Sequence, residues 1–117
     1  MDNCRFKLIL LEEAKKFLDG LEDKARKKIE YNIRRVQCGE INNELFKKLE
    51  NTDIWEFRTH YNKTAYRMFA FWDTDEETLV IATHGIIKKT QKTPPAEIGK
   101  AQAIKNHYFE IKNNPQQ

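Results

Sequence analysis

The residue patterns predict an α+β fold: an antiparallel sheet with an N-terminal helical hairpin on one face and a C-terminal helix. Three observations predict it. An N-terminal stretch alternates apolar with other residues, two successive runs repeat apolar residues at three- and four-residue steps before a glycine, and a central block holds three strand-like segments parted by polar turns. The implied order is β-α-α-β-β-β-α.

From Arg5 to Leu10, Phe6, Leu8 and Leu10 fall on one side and Arg5, Lys7 and Ile9 on the other, the pattern of a half-buried strand. Glu12 and Glu13 suit a helix's first turn, Leu11, Ala14, Leu18 and Leu21 give its stripe, and Gly20 breaks it. A second helix carries Ala25, Ile29, Ile33 and Val36 opposite Lys24, Arg26, Lys27, Arg34 and Arg35, and stops at Gly39. Its basic side is either a solvated face or a contact for nucleic acid or a partner. Residues 41–50 are ambiguous, because Leu45, Phe46 and Leu49 have helical spacing in a run too short for a helix.

Strands follow at 54–60, 65–72 and 78–87, the last apolar on both faces through Leu79, Val80, Ile81 and Ala82, as a covered central strand is. Trp55, Tyr66, Phe69, Phe71 and Trp72 are needed as core, more than as stacking surfaces for bases. Asp73, Asp75, Glu76 and Glu77 read as a solvated turn. Pro95 is placed for a helix's first position with Glu97 in the same turn, and Ile98, Ala101, Ile104, Tyr108 and Ile111 form the stripe of the closing helix.

With 117 residues, of which 39% are hydrophobic and 11% aromatic, the chain supports one packed domain, spanning 1–112, followed by a frayed tail at 113–117. The net charge of +3 is mild, but its distribution is uneven: Lys88, Lys89, Lys92, Lys100 and Lys105 stand between Ile86 and Lys105 with Glu97 as the one acid. Two cysteines, Cys4 and Cys38, show no CxxC spacing, so no metal site is expected; a disulfide between them is possible, though a reduced cytosolic chain is the simpler reading. No signal-peptide pattern or membrane-length apolar run occurs, which places the protein in the cytoplasm without a membrane partner. Glycine-rich phosphate loops, paired catalytic carboxylates and Ser/His/Asp arrangements are absent, so nucleotide hydrolysis and acyl chemistry have no support, and no small-molecule cofactor is expected.

The chemistry lies in the central hairpin. With Asn62 and Lys63 as a two-residue loop, Tyr61 pairs with Thr64, His60 with Ala65 and Arg58 with Arg67. Directly opposed residues project from one face with side chains about 5 Å apart, and like charges placed so repel unless they hold an anion. The rival reading is that each arginine bridges a carboxylate such as Glu56 or reaches solvent at a sheet edge.

Guanidinium forks bind phosphate oxygens and remain charged, so Arg58 and Arg67 suit stabilisation of an RNA phosphodiester under attack by its own 2′-hydroxyl, a reaction that requires no metal. Lys88, Lys89 and Lys92 crowd one segment, where neighbouring cations and partial burial lower a lysine's pKa toward use as an acid or base; the plainer alternative is a solubilising loop. His84 reads on its alternation with Val80, Ala82 and Ile86 as a hydrogen-bonded structural histidine or a proton carrier. His60 and Lys63 at the turn are candidate RNA contacts, and His107 reads as surface.

Taken in series, Leu49, Trp55-Glu56-Phe57-Arg58, Tyr66-Arg67 and His84-Gly85-Ile86-Ile87-Lys88-Lys89-Thr90-Gln91-Lys92-Thr93-Pro94 make the chain resemble the RelE/HigB superfamily of type II toxins, with the closer likeness to its phage-derived HigB branch. The resemblance spans nearly the whole chain. It implies a RelE-like sheet, a ribosome-dependent endoribonuclease acting on messenger RNA, and inhibition by a cognate helix-turn-helix antitoxin. Carried onto matching positions, it assigns catalysis to Arg58, Arg67, Lys88 and Lys92, and RNA binding to Lys89, His60, Lys63 and His84. Members also place a tyrosine, or an acid with a histidine, near the C-terminal side of the site; Tyr108 and His84 are the candidates here, and acid and base stay unassigned. The alternative from another class is a non-catalytic RNA- or protein-binding module of the same fold.

Overall fold

A computed structural model describes residues 4–40, 42–75, 78–89 and 92–114. Among these, the elements are β1 (Lys7–Leu10), α1 (Glu12–Asp19), α2 (Asp23–Gln37), β2 (Phe46–Lys48), β3 (Trp55–Tyr61), β4 (Thr64–Trp72), β5 (Leu79–Lys88) and α3 (Pro95–Asn113). The strands form one sheet in the order β1-β5-β4-β3-β2. The class is α+β, as predicted.

Two features go beyond the predicted order. β1 runs parallel to β5, pairing Lys7 with Leu79 and Leu10 with Ala82, so the sheet is antiparallel over four strands and mixed at one edge. Alternation marks a half-buried strand but carries no direction. The ambiguous segment contributes a fifth strand: Asn42 Oδ1 accepts from the Glu44 amide at 2.8 Å, the turn that follows delivers Phe46, and its ring stacks on Trp55 and Phe57 at centroid distances of 4.7 and 4.4 Å. Aromatic packing across strands overrides the helical spacing of Leu45 and Leu49.

The helical hairpin buries Ala14, Leu18, Ala25, Ile29, Ile33 and Val36 against one face, where Phe6, Phe57, Met68, Val80 and Ala82 complete a core. Gly39 ends this unit at φ 103°, a backbone conformation that favours glycine. Gly85 is required for another reason: a Cβ there would lie 2.2 Å from the Phe17 ring of α1, so the helix rests directly on the strand's backbone.

α3 covers only part of the opposite face. Ile98, Ala101, Tyr108 and Phe109 pack over Leu49, Ile54, Phe69, Phe71 and Ile81. Ile111, expected in this stripe, is exposed, and Phe109 takes the inward place with its ring 5.7 Å from Phe71. The helix reaches Asn113 and is followed by Asn114; the rest of the expected tail, 115–117, lies outside the described residues. No helix among the described residues is long and apolar enough to cross a membrane.

The turn after β4 departs from its expected character. Asp73 is fully buried, accepting from Tyr108 Oη and Lys112 Nζ, both at 2.6 Å, and from the Asp75 amide at 2.8 Å. Asp75 is exposed as expected, and Glu76 and Glu77 lie outside the described residues. Burial opposes ionisation of Asp73, but these hydrogen bonds win and hold its pKa at about 2, below the ordinary 3.8. A lowered carboxylate pKa gives stability that is present above the unfolded-state value and lost as pH falls through the folded one. Acid denaturation should therefore show a loss of about 2 kcal/mol between roughly pH 4 and 2 that Asp73→Asn abolishes. An unchanged acid limb in that variant would contradict this anchoring of α3.

Candidate functional site

The register of β3 and β4 builds the site. Asn62 and Lys63 occupy positive φ, 50° and 63°, as the two central residues of a type I′ hairpin turn do. Tyr61 pairs with Thr64, His60 with Ala65 and Arg58 with Arg67, as predicted. β5 adds Lys88 opposite Ala65 and Ile86 opposite Arg67. Arg58, His60, Arg67 and Lys88 thus project from the face that α3 leaves partly uncovered.

Glu56 lies two residues before Arg58 and so shares this face. Its Oε1 is 3.5 Å from Nε of both Arg58 and Arg67, at 3% side-chain exposure for Glu56 and Arg67 and 26% for Arg58. The carboxylate bridge is therefore present, but one carboxylate is shared by two guanidinium groups. Neither Nε–H makes a hydrogen bond, since 3.5 Å exceeds a good N–H···O contact. Arg67 Nη1 donates to the Tyr66 carbonyl and Arg58 Nη1 to the Asn43 carbonyl, both at 3.0 Å, which fixes each fork without offsetting its charge.

This excess positive charge is felt locally. Burial and then the adjacent Arg58 push the Arg67 pKa down, against the pull of Glu56, though a guanidinium stays protonated through any physiological pH. Lys88, half-buried, has its ammonium pKa lowered first by burial and next by Arg67, with Arg58 and Lys47 adding and Glu56 opposing. Such a shift moves a lysine toward proton exchange with a substrate.

The segment after β5 is tied to the same centre. Thr93 Oγ1 donates to Glu56 Oε2 at 3.0 Å, which brings the chain just after Lys92 over the arginine pair. Lys92 and Lys89 are exposed, Lys63 is exposed at the turn, and His60 is exposed two pairs nearer the turn than Arg58. Thr90 and Gln91 lie outside the described residues. Sequence reasoning missed the clamp formed by Glu56 and Thr93; the two-residue step from Glu56 to Arg58 was a usable signal, whereas its contact with Thr93 spans 37 residues.

His84 is placed differently from the alternation that predicted it. Phe69 pairs with His84 but Ala70 with Ala82, so Thr83 is an extra residue that turns His84 onto the opposite face from Val80 and Ala82. There it is buried, with Nδ1 2.9 Å from Thr83 Oγ1 and Nε2 3.0 Å from Glu97 Oε1. Burial lowers its pKa against the opposing hydrogen bond to the Glu97 carboxylate. With both ring nitrogens engaged, His84 fastens the start of α3 to β5 and presents no nitrogen to the open face. Tyr108 bonds Asp73, six residues along β4 from Arg67 and so about 20 Å away, which removes it from the arginine centre.

The arrangement offers two fixed guanidinium groups, a lysine with a lowered pKa beside them and further cations around the rim. Among the described residues no group of three or more His, Cys, Asp or Glu side chains is placed to hold a metal ion. The geometry suits a phosphodiester. No curated protein matches the chain. A family model, that of phage-derived Gp49-like proteins (DUF891), matches it over residues 16–106. By that match across most of its length the chain belongs to the phage-derived Gp49-like family, a RelE/HigB-type family associated with the toxins of toxin–antitoxin systems.

Proposed function

We propose that this protein is the toxin of a type II toxin–antitoxin pair of the HigB branch, a cytoplasmic, ribosome-dependent endoribonuclease that cuts messenger RNA by a metal-independent route. Its cognate antitoxin is a helix-turn-helix protein. The observation that carries this reading is the pair of cross-strand arginines sharing one carboxylate, with two buried Nε–H donors lacking an acceptor. A phosphate supplies both the missing negative charge and the missing acceptors.

In the reaction, the ribose 2′-hydroxyl attacks the adjacent phosphorus and the bond to the 5′-oxygen breaks, leaving a 2′,3′-cyclic phosphate and a 5′-hydroxyl. Arg58, the more exposed of the pair, grips the phosphate, and Arg67 beneath it adds a second charge that stabilises the phosphorane. Lys88 moves a proton. Lys89, Lys92, His60 and Lys63 hold the flanking backbone, while His84 acts as a positioning residue through Glu97.

The test is a translating extract supplied with the purified protein and a defined message. Discrete cuts bearing 5′-hydroxyl ends are expected, and a 2′-deoxy substitution at a mapped cut should block cleavage there. A message that stays intact, with the protein bound in a strongly salt-dependent manner, would favour a non-catalytic binding module instead.

A further inference from the structure

β2 begins at Phe46, paired with Phe57, and the outermost bond on that side runs from the Arg58 amide to the Leu45 carbonyl at 2.7 Å. Beyond it the outer edge of β3 has no strand neighbour among the described residues, and a groove of about 430 Å³ opens between this edge and α2. Lys28, Asn32, Arg35, Glu44, Arg58 and His60 line it. Ligand sites commonly begin at about 300 Å³, so the space admits a nucleotide.

The rim carries an aromatic surface. Tyr31 is 59% exposed, and its ring centroid lies 5.2 Å from Lys28 Nζ and 5.8 Å from Arg35 Cζ. These residues are three before and four after it, so they share one stripe of α2. Arg35 is fixed by Glu40 through its Nε at 3.0 Å and reaches Asn32 Oδ1 at 3.4 Å. Asn32 in turn donates to Thr59 Oγ1 at 3.2 Å, which locks the floor of the groove to β3. An exposed aromatic ring bordered by cations, above a groove that shares Arg58 with the phosphate centre, combines stacking with backbone charge as single-stranded nucleic acid sites do.

We infer that this groove is a second RNA subsite, in which a nucleotide flanking the scissile phosphate stacks on Tyr31 while its backbone passes Lys28 on the way to Arg58. The inference rests on the endoribonuclease reading for its substrate. At this subsite α2 holds RNA through one aromatic ring and one ammonium group. Glu44, the acid in the lining, opposes an incoming phosphate.

The probe is a fluorescein-labelled RNA dodecamer with every 2′-hydroxyl methylated, which binds but cannot be cut. Tyr31→Ala should weaken binding by about tenfold, the loss of one stacked base. Lys28→Gln should weaken it and lower the salt slope by about 0.7, the single-strand value for one phosphate contact. Glu44→Gln should tighten it. These three positions are at the surface, and unchanged melting temperatures will show that the fold is kept. Wild-type affinity in both Tyr31→Ala and Lys28→Gln would overturn the subsite, and so would a captured acidic protein that competes at Tyr31 while the RNA does not bind. Loss of cleavage without loss of dodecamer binding in Arg67→Ala would leave the groove standing, which separates its failure from that of the catalytic reading.

Discussion

Arg67→Ala is expected to slow messenger RNA cleavage by about 10²- to 10³-fold, the cost of removing one preorganised donor from a developing negative charge. The size follows from the charge balance. In the intact site two guanidinium groups face one carboxylate, so the centre is positive even before Lys88 is counted. Without Arg67, Glu56 offsets Arg58 in full and Lys88 is the cation left to face the phosphorane. Arg67→Lys should recover only part of the rate, because an ammonium group restores charge without the planar fork. Growth arrest on expression should be relieved in Arg67→Ala and in Arg58→Ala, with both variants still folded by their melting transitions. Undiminished cleavage in either alanine variant would remove the arginines from the mechanism.

The second large effect is on folding. Glu56→Gln should lower stability by about 3–5 kcal/mol, since it leaves two guanidinium groups, one of them buried, without their shared counter-charge. The substitution keeps the size of the side chain and an oxygen that can still accept from Thr93, so packing changes little. Inorganic phosphate should raise the melting temperature of Glu56→Gln more than that of the wild type, because an anion then replaces the carboxylate. Chemical denaturation with and without phosphate checks both parts. A variant as stable as the wild type and indifferent to phosphate would mean that the arginines do not load Glu56.

The parts of this site governed by local rules were legible in the sequence. A two-residue turn fixes hairpin register, so placing Asn62 and Lys63 in the loop set Arg58 opposite Arg67 without any knowledge of the rest of the fold. Alternation likewise put Glu56 beside Arg58. What escaped depended on single insertions or distant partners. The extra Thr83 reverses the face of His84, and a bulge leaves no mark in an apolar run such as Leu79 to Ala82. Asp73 sits among acidic neighbours and reads as solvated, because the groups that bury it, Tyr108 and Lys112, are 35 and 39 residues away. β2 was obscured because Leu45 and Leu49 serve different faces of the sheet while imitating one stripe of a helix.

The groove beside β3 was invisible for a related reason. The basic residues of α2 admit two readings, a solvated face or a contact for nucleic acid or a partner, and for Arg26 and Lys27, which pair with Asp23, the first fits. Lys28 and Arg35 differ because β2 stops short and leaves the strand edge beneath them open.

The most direct test is a structure of the protein with an RNA made uncleavable by a 2′-deoxy substitution at the mapped cut. The scissile phosphate should lie against the guanidinium groups of Arg58 and Arg67, with a phosphate oxygen within about 3 Å of an Arg58 nitrogen, the length of a charge-assisted hydrogen bond, and with Lys88 beside it. A phosphate bound elsewhere, with both arginines still turned to Glu56, would contradict the assignment.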